Sequence, residues 1–221
     1  MTATIVSERV NRDNTVQQVT SEYLCEHETD IHTPFGITKV ICTDSDIDAL
    51  VVGRLYADGL ISSADDAVIS ISPDRKRADV SLPCIRKNEP YIMERVVPES
   101  GTVFMLADMF GRDSGLHRST RSTHRCMLLH SGEVRSFDDI SRHNAVDKAV
   151  GYALMNRFDM SACIMFSSGR VPSDMAQKVI AAHIPVLVSK ADPTAQAVET
   201  AKKYGLTLIC RAWPDSYEVF S

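Results

Sequence analysis

Apolar and polar residues alternate with two different periods in the last third of this chain, and these periods separate strands from helices. The segments 161–170 (SACIMFSSGR), 184–189 (IPVLVS) and 206–210 (LTLIC) are short apolar runs that predict buried strands. Between them, 171–183 (VPSDMAQKVIAAH) and 195–205 (AQAVETAKKYG) have helical spacing. Because parallel strands are joined by right-handed crossovers, this order predicts a largely parallel βαβαβ unit.

Upstream, the patterns predict antiparallel hairpins around one helix. A strand at ITKVIC is followed by a helix start at Thr43 to Asp46. AVISIS and ADVSL form one hairpin, and THRCMLLHSGEVRSF forms a second that turns at Ser131-Gly132. We divide the chain into an N-terminal tail or edge strand (1–36), an N-terminal lobe (37–110) and a C-terminal α/β region (111–221).

Polar side chains crowd the start of the helix predicted after the second hairpin. The segment 137–148 (FDDISRHNAVDK) holds two carboxylates, an Arg-His-Asn run and an Asp-Lys pair. One interpretation is a ligand site. The other is a capped, solvated helix start. In that interpretation His143 and Asp147 form an i,i+4 pair, and the Lys148 side chain is simply exposed to solvent.

The loop after the first strand of the βαβαβ unit is suited to an anion. Gly169 would let the anion approach closely, Arg170 could offer a bidentate fork, and Ser168 could donate a hydrogen bond. Ligands of open α/β sheets bind at the carboxyl ends of parallel strands, where this loop emerges. A plain connecting turn has the same composition, so both interpretations stay open.

Several of these segments together resemble one known family. RHNAVDK, SSGRVPSDMAQK, IPVLVSKADPTAQAVETA and LTLIC, with CTDSDIDALVVGRLYADGLI upstream, look like the formate dehydrogenase accessory sulfurtransferase family, from about Thr38 to the C-terminus with a gap in the middle. The resemblance implies a cytidine-deaminase-like α/β fold, a mixed sheet flanked by helices, that is usually dimeric. It further implies binding of the molybdenum bis(molybdopterin guanine dinucleotide) cofactor, with sulfur received from a cysteine desulfurase and passed to that cofactor for formate dehydrogenase.

The resemblance also assigns site residues. Arg142, Arg170 and Lys190 would bind phosphate, His143 and Asn144 would recognise polar groups, and Asp147 would orient a neighbour. Trp213 and Pro214 could stack on a planar ring, although Trp213 is equally suited to packing. The complete expected cofactor-binding set is His124, Arg142, His143, Asn144, Asp147, Ser168, Gly169, Arg170, Ser189, Lys190, Thr194, Arg211, Ala212, Trp213, Pro214, Asp215 and Ser216.

The thiols depart from the family pattern. Its members usually carry sulfur as a persulfide on a Cys-x-x-Cys loop, and this chain has no such pair. Cys84 and Cys126 are the candidate catalytic thiols. Sulfur transfer through an atypical thiol and cofactor binding or chaperoning without transfer both stay open, and a nucleotide-binding protein of an unrelated pathway is a third hypothesis.

Composition narrows the class of protein. The net charge of −5 argues against nonspecific nucleic-acid binding, so an anionic ligand would need local cations such as those of the cluster Arg112, His117, Arg118, Arg121, His124 and Arg125. No run of about 18 apolar residues occurs, so we expect a cytoplasmic protein without a membrane span. The six cysteines include no close pair, and the His-x-Glu and Pro-Cys-x-x-Cys motifs of zinc deaminases are absent, so we expect no zinc.

Overall fold

The computed structural model describes residues 2–83, 92–112, 120 and 122–220. Short 3₁₀ turns occur at Ala64–Asp66 and Met160–Ala162. The strands are β1 (Thr2–Val10), β2 (Val16–Leu24), β3 (His27–Thr33), β4 (Gly36–Cys42), β5 (Val68–Ile71), β6 (Arg77–Ser81), β7 (His124–His130), β8 (Glu133–Asp139), β9 (Ile164–Ser167), β10 (Val186–Ser189), β11 (Thr207–Cys210) and β12 (Glu218–Phe220). The helices are α1 (Ile47–Ala57), α2 (Ser100–Arg112), α3 (Arg142–Met155), α4 (Ser173–Ala181) and α5 (Ala195–Tyr204).

The largest sheet has six strands in the order β12-β11-β10-β9-β7-β8. Its centre is parallel, because β10 pairs in parallel with both β9 and β11, and α4 and α5 are the crossovers. The other strands are antiparallel to their neighbours. The predicted α/β class and the C-terminal βαβαβ unit are therefore confirmed.

This sheet is covered on both faces, and its strands alternate between the two cores. Side chains such as Leu128, Met165 and Leu187 enter the larger core with the apolar residues of α3, α4 and α5. Their chain neighbours Phe166 and Val188 enter a smaller core beneath α2. Burial on both faces explains why these strands are continuous apolar runs in the sequence.

A second sheet, in the order β4-β3-β6-β5, packs against α1 through side chains such as Ile31 and Val80. The hairpin predicted at AVISIS and ADVSL is β5–β6. The second predicted hairpin is β7–β8, and its turn residues Ser131 and Gly132 both have positive φ, as a two-residue turn between twisted strands requires.

Helices α1 and α3 cross at two glycines. A Cβ atom on Gly53 would overlap the carbonyl oxygen of Asp147, and one on Gly151 would overlap that of Ala49. The helix backbones therefore touch, and this contact brings the polar start of α3 against α1 and the second sheet.

The N-terminal segment differs from the prediction of a tail or edge strand. β1 and β2 form a separate two-stranded hairpin, and β3 already belongs to the second sheet, with Ile31 buried. The packed structure thus begins before Ile37. The difference has a physical cause: all nine residues of β1 are exposed, so no buried period marks it in the sequence.

Candidate functional site

The polar start of α3 is an interior network. The Lys148 side chain is fully buried, with Nζ 2.7 Å from the Asp139 carboxylate and donating a hydrogen bond to Thr43 Oγ1 at 2.6 Å. The interpretation that solvent surrounds Lys148 is wrong, because a buried ammonium needs such partners. The predicted cap is present, since Ser141 Oγ accepts from the backbone N–H of His143.

Asn144 belongs to the same network. Its Nδ2 donates to the Ile41 carbonyl at 2.8 Å and to Asp139 Oδ1 at 2.9 Å. Its Oδ1 accepts from Arg54 at 3.1 Å. These bonds occupy the amide and join α3 to β4, β8 and α1. Asn144 therefore has a structural role, which opposes its predicted role in recognising polar groups of a ligand.

Asp147 is buried between two cations from other helices. Its carboxylate forms ion pairs with Arg54, at 3.1 Å, and with Lys178. Burial raises the pKa of the Asp147 carboxyl, and the positive charges of Lys178 and Arg54 oppose that rise. His143 pairs instead with Asp174, Nε2 to carboxylate oxygen at 3.7 Å, so the His143–Asp147 pair considered above does not form.

A cleft of about 470 Å³ opens beside this network. Arg54, His143, Asp174, Lys178 and Tyr204 contribute to its wall, which therefore carries both signs of charge. Arg54 and Lys178 are already engaged by Asp147, so the cleft offers few uncommitted charges to a ligand.

We expect the stability of the protein to fall as the pH drops below about 6.5, the ordinary pKa of histidine. Burial lowers the pKa of His143, helped by Lys178, Arg142 and Arg54 and opposed by Asp174. The unfolded chain then binds more protons between the two pKa values, so stability present above 6.5 is lost as the pH falls through the folded-state pKa. Thermal unfolding midpoints between about pH 5 and 8 should fall less steeply in His143→Gln than in wild type. Equal slopes would contradict this, and His32→Gln is the matched control.

The three loops at the carboxyl ends of β9, β10 and β11 are tied together by hydrogen bonds. The buried Ser189 hydroxyl donates to the Gly169 carbonyl at 2.7 Å, and Ala212 N–H donates to the Ser189 carbonyl at 3.0 Å. Val171 N–H donates to the Asp192 carbonyl at 3.1 Å. This edge of the sheet is consequently a preformed surface, and Ser189 holds its loops.

We call the set Arg142, Gly169, Lys190 and Trp213 the strand-end site, because it brings two cations and an aromatic ring to the loops at this edge. A Cβ on Gly169 would lie 2.8 Å from Cδ of Arg142, so the glycine lets the arginine stem lie across the β9 loop. Arg142 Nε is buried without a hydrogen-bond partner among the described residues. Lys190 Nζ lies 4.5 Å from the Trp213 ring centroid and 5.7 Å from that of Phe110. The site combines positive charge with an exposed planar surface.

The other expected residues take different positions around this edge. His124 Nδ1 lies 3.2 Å from Ser168 Oγ, which also accepts from Arg125 N–H, so the Ser168 hydroxyl is engaged within the protein. Arg170 is exposed. Thr194 caps α5 by accepting from Ala197 N–H. Arg211 pairs with Asp192 and Glu218, which opposes a phosphate role for it.

The residues of the final loop, 211–216, differ in their exposure to solvent. Ala212 is buried, whereas Trp213, Pro214, Asp215 and Ser216 are exposed. Trp213 N–H donates to the Ser216 carbonyl at 2.8 Å and closes the loop.

Of the proposed basic cluster, Arg125 is buried in a bidentate pair with Asp138, and Arg112 is exposed at the end of α2. Arg118, Arg121 and His117 lie outside the described residues.

The environment of Cys126 opposes the catalytic role expected for it. Its side chain is fully buried in the larger core, and burial raises the pKa of the thiol far above its usual range. A thiol without access to water or substrate is a poor nucleophile. Burial likewise raises the pKa of Cys42 to about 11 and those of Cys163 and Cys210 to about 12. Cys25 is half-buried, and Cys84 lies outside the described residues.

Sequence reasoning missed several residues of these networks, among them Arg54, Phe110, Asp139 and Lys178. Asp139 stood in the polar segment without an assigned role. The other three come from elements distant in sequence, and neither helical spacing nor charge distinguishes them from ordinary helix residues.

The fold and site define an α/β protein with a preformed, cationic and partly aromatic surface at the carboxyl ends of its parallel strands. The chain belongs to the FdhD/NarQ family, whose model matches residues 86–221. Among residues 2–83, 92–112, 120 and 122–220, no helix is long and apolar enough to cross a membrane.

Individual relatives agree with this assignment. A sulfur carrier protein FdhD of Methanothermobacter thermautotrophicus is 29% identical over 183 residues, 74% of each chain. One from Sulfurisphaera tokodaii is 26% identical over 243 aligned positions, covering 94% of this chain and 93% of the relative. The crystal structure of a putative formate dehydrogenase accessory protein from Desulfotalea psychrophila has the same fold, with a TM-score of 0.85 and 24% identity, covering 100% of this chain and 96% of that one.

Proposed function

We propose that this protein is a sulfur carrier that supports the maturation of a formate dehydrogenase. In this role it receives sulfur as a persulfide from a cysteine desulfurase, and it holds the molybdenum bis(molybdopterin guanine dinucleotide) cofactor as cargo. Family membership and the names of the relatives support the role. The proposal includes a cytoplasmic homodimer.

The observation that carries the cargo proposal is Arg142 at the strand-end site. Its Nε atom is buried, unpartnered among the described residues and beside the β9 loop, so an anionic oxygen would satisfy it. The cofactor offers pyrophosphate oxygens for Arg142 and Lys190 and planar guanine rings for Trp213. These residues fit the group, and Arg170, exposed on the same loop, can add a further cation.

Sulfur transfer needs a reactive thiol. In the transfer, the thiolate attacks the outer sulfur of the donor persulfide, a new S–S bond forms, and the donor leaves as its thiolate. Of the two candidate thiols, Cys126 is buried with a raised thiol pKa, as are Cys42, Cys163 and Cys210, so we assign the persulfide to Cys84. The alternative function is cofactor binding without sulfur transfer, which the missing Cys-x-x-Cys pair favours.

Guanosine diphosphate, the nucleotide portion of the cargo, tests the site. In calorimetric titrations we expect Arg142→Met to weaken binding about tenfold to a hundredfold, because a charge-assisted hydrogen bond contributes about 1.5 to 3 kcal/mol. Trp213→Ala should weaken it by a similar factor through lost stacking.

Arg157→Met is the matched control, since Arg157 is an exposed arginine paired with Asp65. It should bind like wild type. Wild-type affinity in both Arg142→Met and Trp213→Ala, or no binding by wild type, would refute the assignment of cargo to the strand-end site.

A further inference from the structure

The loop 213–216 carries the aromatic ring of the strand-end site and, two residues further on, a carboxylate. Trp213 is 46% exposed, and its backbone N–H donates to the Ser216 carbonyl at 2.8 Å, which closes the loop. Cα atoms two residues apart are at most about 7 Å from one another. The Asp215 carboxylate is therefore within reach of the edge of a planar group that stacks on the exposed part of the Trp213 ring.

Asp215 differs from the other acidic residues beside this loop. Asp192 and Glu218 both pair with Arg211, at 2.6 Å and 2.7 Å. Asp215 is exposed and, within the described part of the chain, forms no ion pair and accepts one side-chain hydrogen bond, from Ser216 Oγ at 3.3 Å. A carboxylate can accept about four hydrogen bonds, so most of this capacity stays open for a ligand.

An uncommitted carboxylate is unexpected beside a site for an anion. Arg142 and Lys190 attract the pyrophosphate of the proposed cargo, whereas Asp215 repels it. The carboxylate suits a different part of the same ligand, because a group that only accepts hydrogen bonds binds N–H donors. Guanine presents two adjacent donors, N1–H and the 2-amino group, on its Watson–Crick edge. Adenine presents an acceptor, its N1 atom, at the corresponding position.

We propose that Asp215 determines the base specificity of the strand-end site by accepting hydrogen bonds from N1–H and the 2-amino group of guanine. This inference rests on the proposed cargo and assigns the selectivity for its base to one side chain. The ligand is then divided among the residues of this edge. Arg142 and Lys190 bind the phosphates, Trp213 stacks on the base, and Asp215 binds the edge of the base.

Calorimetric titration of the full-length protein with nucleoside diphosphates tests this assignment. Inosine diphosphate lacks the 2-amino group, so it loses one hydrogen bond to a charged acceptor and should bind wild type about tenfold more weakly than GDP. ADP places its N1 acceptor against the carboxylate and should bind about a hundredfold more weakly. Ribose and phosphates are the same in all three ligands, so the differences measure recognition of the base alone.

A specificity switch separates this role from a structural one. Asp215→Asn keeps the size of the side chain and replaces one of its two acceptors with an N–H donor. Xanthosine diphosphate has an oxygen in place of the 2-amino group, so its edge matches asparagine and repels aspartate. Wild type should prefer GDP over xanthosine diphosphate by about tenfold or more, and Asp215→Asn should reverse that preference. A misfolded variant would lose affinity for both ligands.

Asp65→Asn is the matched control, because Asp65 is an exposed carboxylate paired with Arg157. It should bind all four nucleotides like wild type. Equal affinity of wild type for GDP and inosine diphosphate, or an unchanged preference in Asp215→Asn, would overturn the assignment of base specificity while leaving the proposed cargo site standing. Binding of none of the nucleotides by wild type would refute the cargo site and this inference with it, so the two failures are distinguishable.

Discussion

Lys148→Met should destabilise the protein by about 3 to 5 kcal/mol, a large share of the total stability of a typical domain. The substitution keeps the apolar stem and removes the ammonium, which leaves the Asp139 carboxylate buried without its counter-charge. Thr43 Oγ1 also loses its donor. Urea unfolding of wild type and variant measures the difference, provided that the slopes of the two transitions agree.

Two variants make the Lys148 experiment specific. Arg157→Met breaks an exposed ion pair with Asp65 and should cost less than about 1 kcal/mol. Lys148→Met combined with Asp139→Asn removes both charges and should recover part of the loss. If Lys148→Met costs no more than Arg157→Met, then the buried pair does not stabilise the fold as argued.

Cys84→Ser should abolish the maturation of formate dehydrogenase. A thiol with a pKa of about 11, such as Cys42, is a thiolate in only about one molecule in ten thousand at neutral pH. Cys126, Cys163 and Cys210 are buried with raised pKa values as well, so they cannot replace Cys84. In cells that lack their own accessory protein, the Cys84→Ser variant should restore no more formate dehydrogenase activity than an empty vector.

The matched controls are Cys126→Ser, which removes a buried thiol, and Cys25→Ser, which removes a half-buried one. Both should restore activity within about twofold of wild type, provided that they accumulate to wild-type levels. Activity in Cys84→Ser cells would show that another thiol carries the sulfur or that maturation needs none.

The sequence predicted the βαβαβ unit well because burial on both faces makes β9, β10 and β11 continuous apolar runs. The β1–β2 hairpin escaped prediction for the converse reason, since the residues of β1 are all exposed and have no buried face. The local pattern of apolar residues thus reveals elements that the chain buries and misses those that it leaves exposed.

For the candidate site, the sequence predicted which residues meet at this edge of the sheet better than it predicted their contacts. The Arg142 stem lies against Gly169, and Lys190 lies over the Trp213 ring, on loops at the edge where the carboxyl ends of the parallel strands meet. Asn144 and Asp147 instead belong to the buried polar network, and their partners Arg54 and Lys178 come from other helices. Cys126 is buried because both faces of β7 are covered, and its polar neighbours His124 and Arg125 concealed this in the sequence.

Sulfur carriage is tested most directly by the intact mass of the protein after incubation with a cysteine desulfurase and cysteine. We predict a gain of about 32 Da, one sulfur atom, in wild type and in Cys126→Ser, and no gain in Cys84→Ser. No gain in wild type would contradict sulfur carriage and favour cofactor binding alone, and a gain that persists in Cys84→Ser would contradict the assignment of the persulfide to that residue.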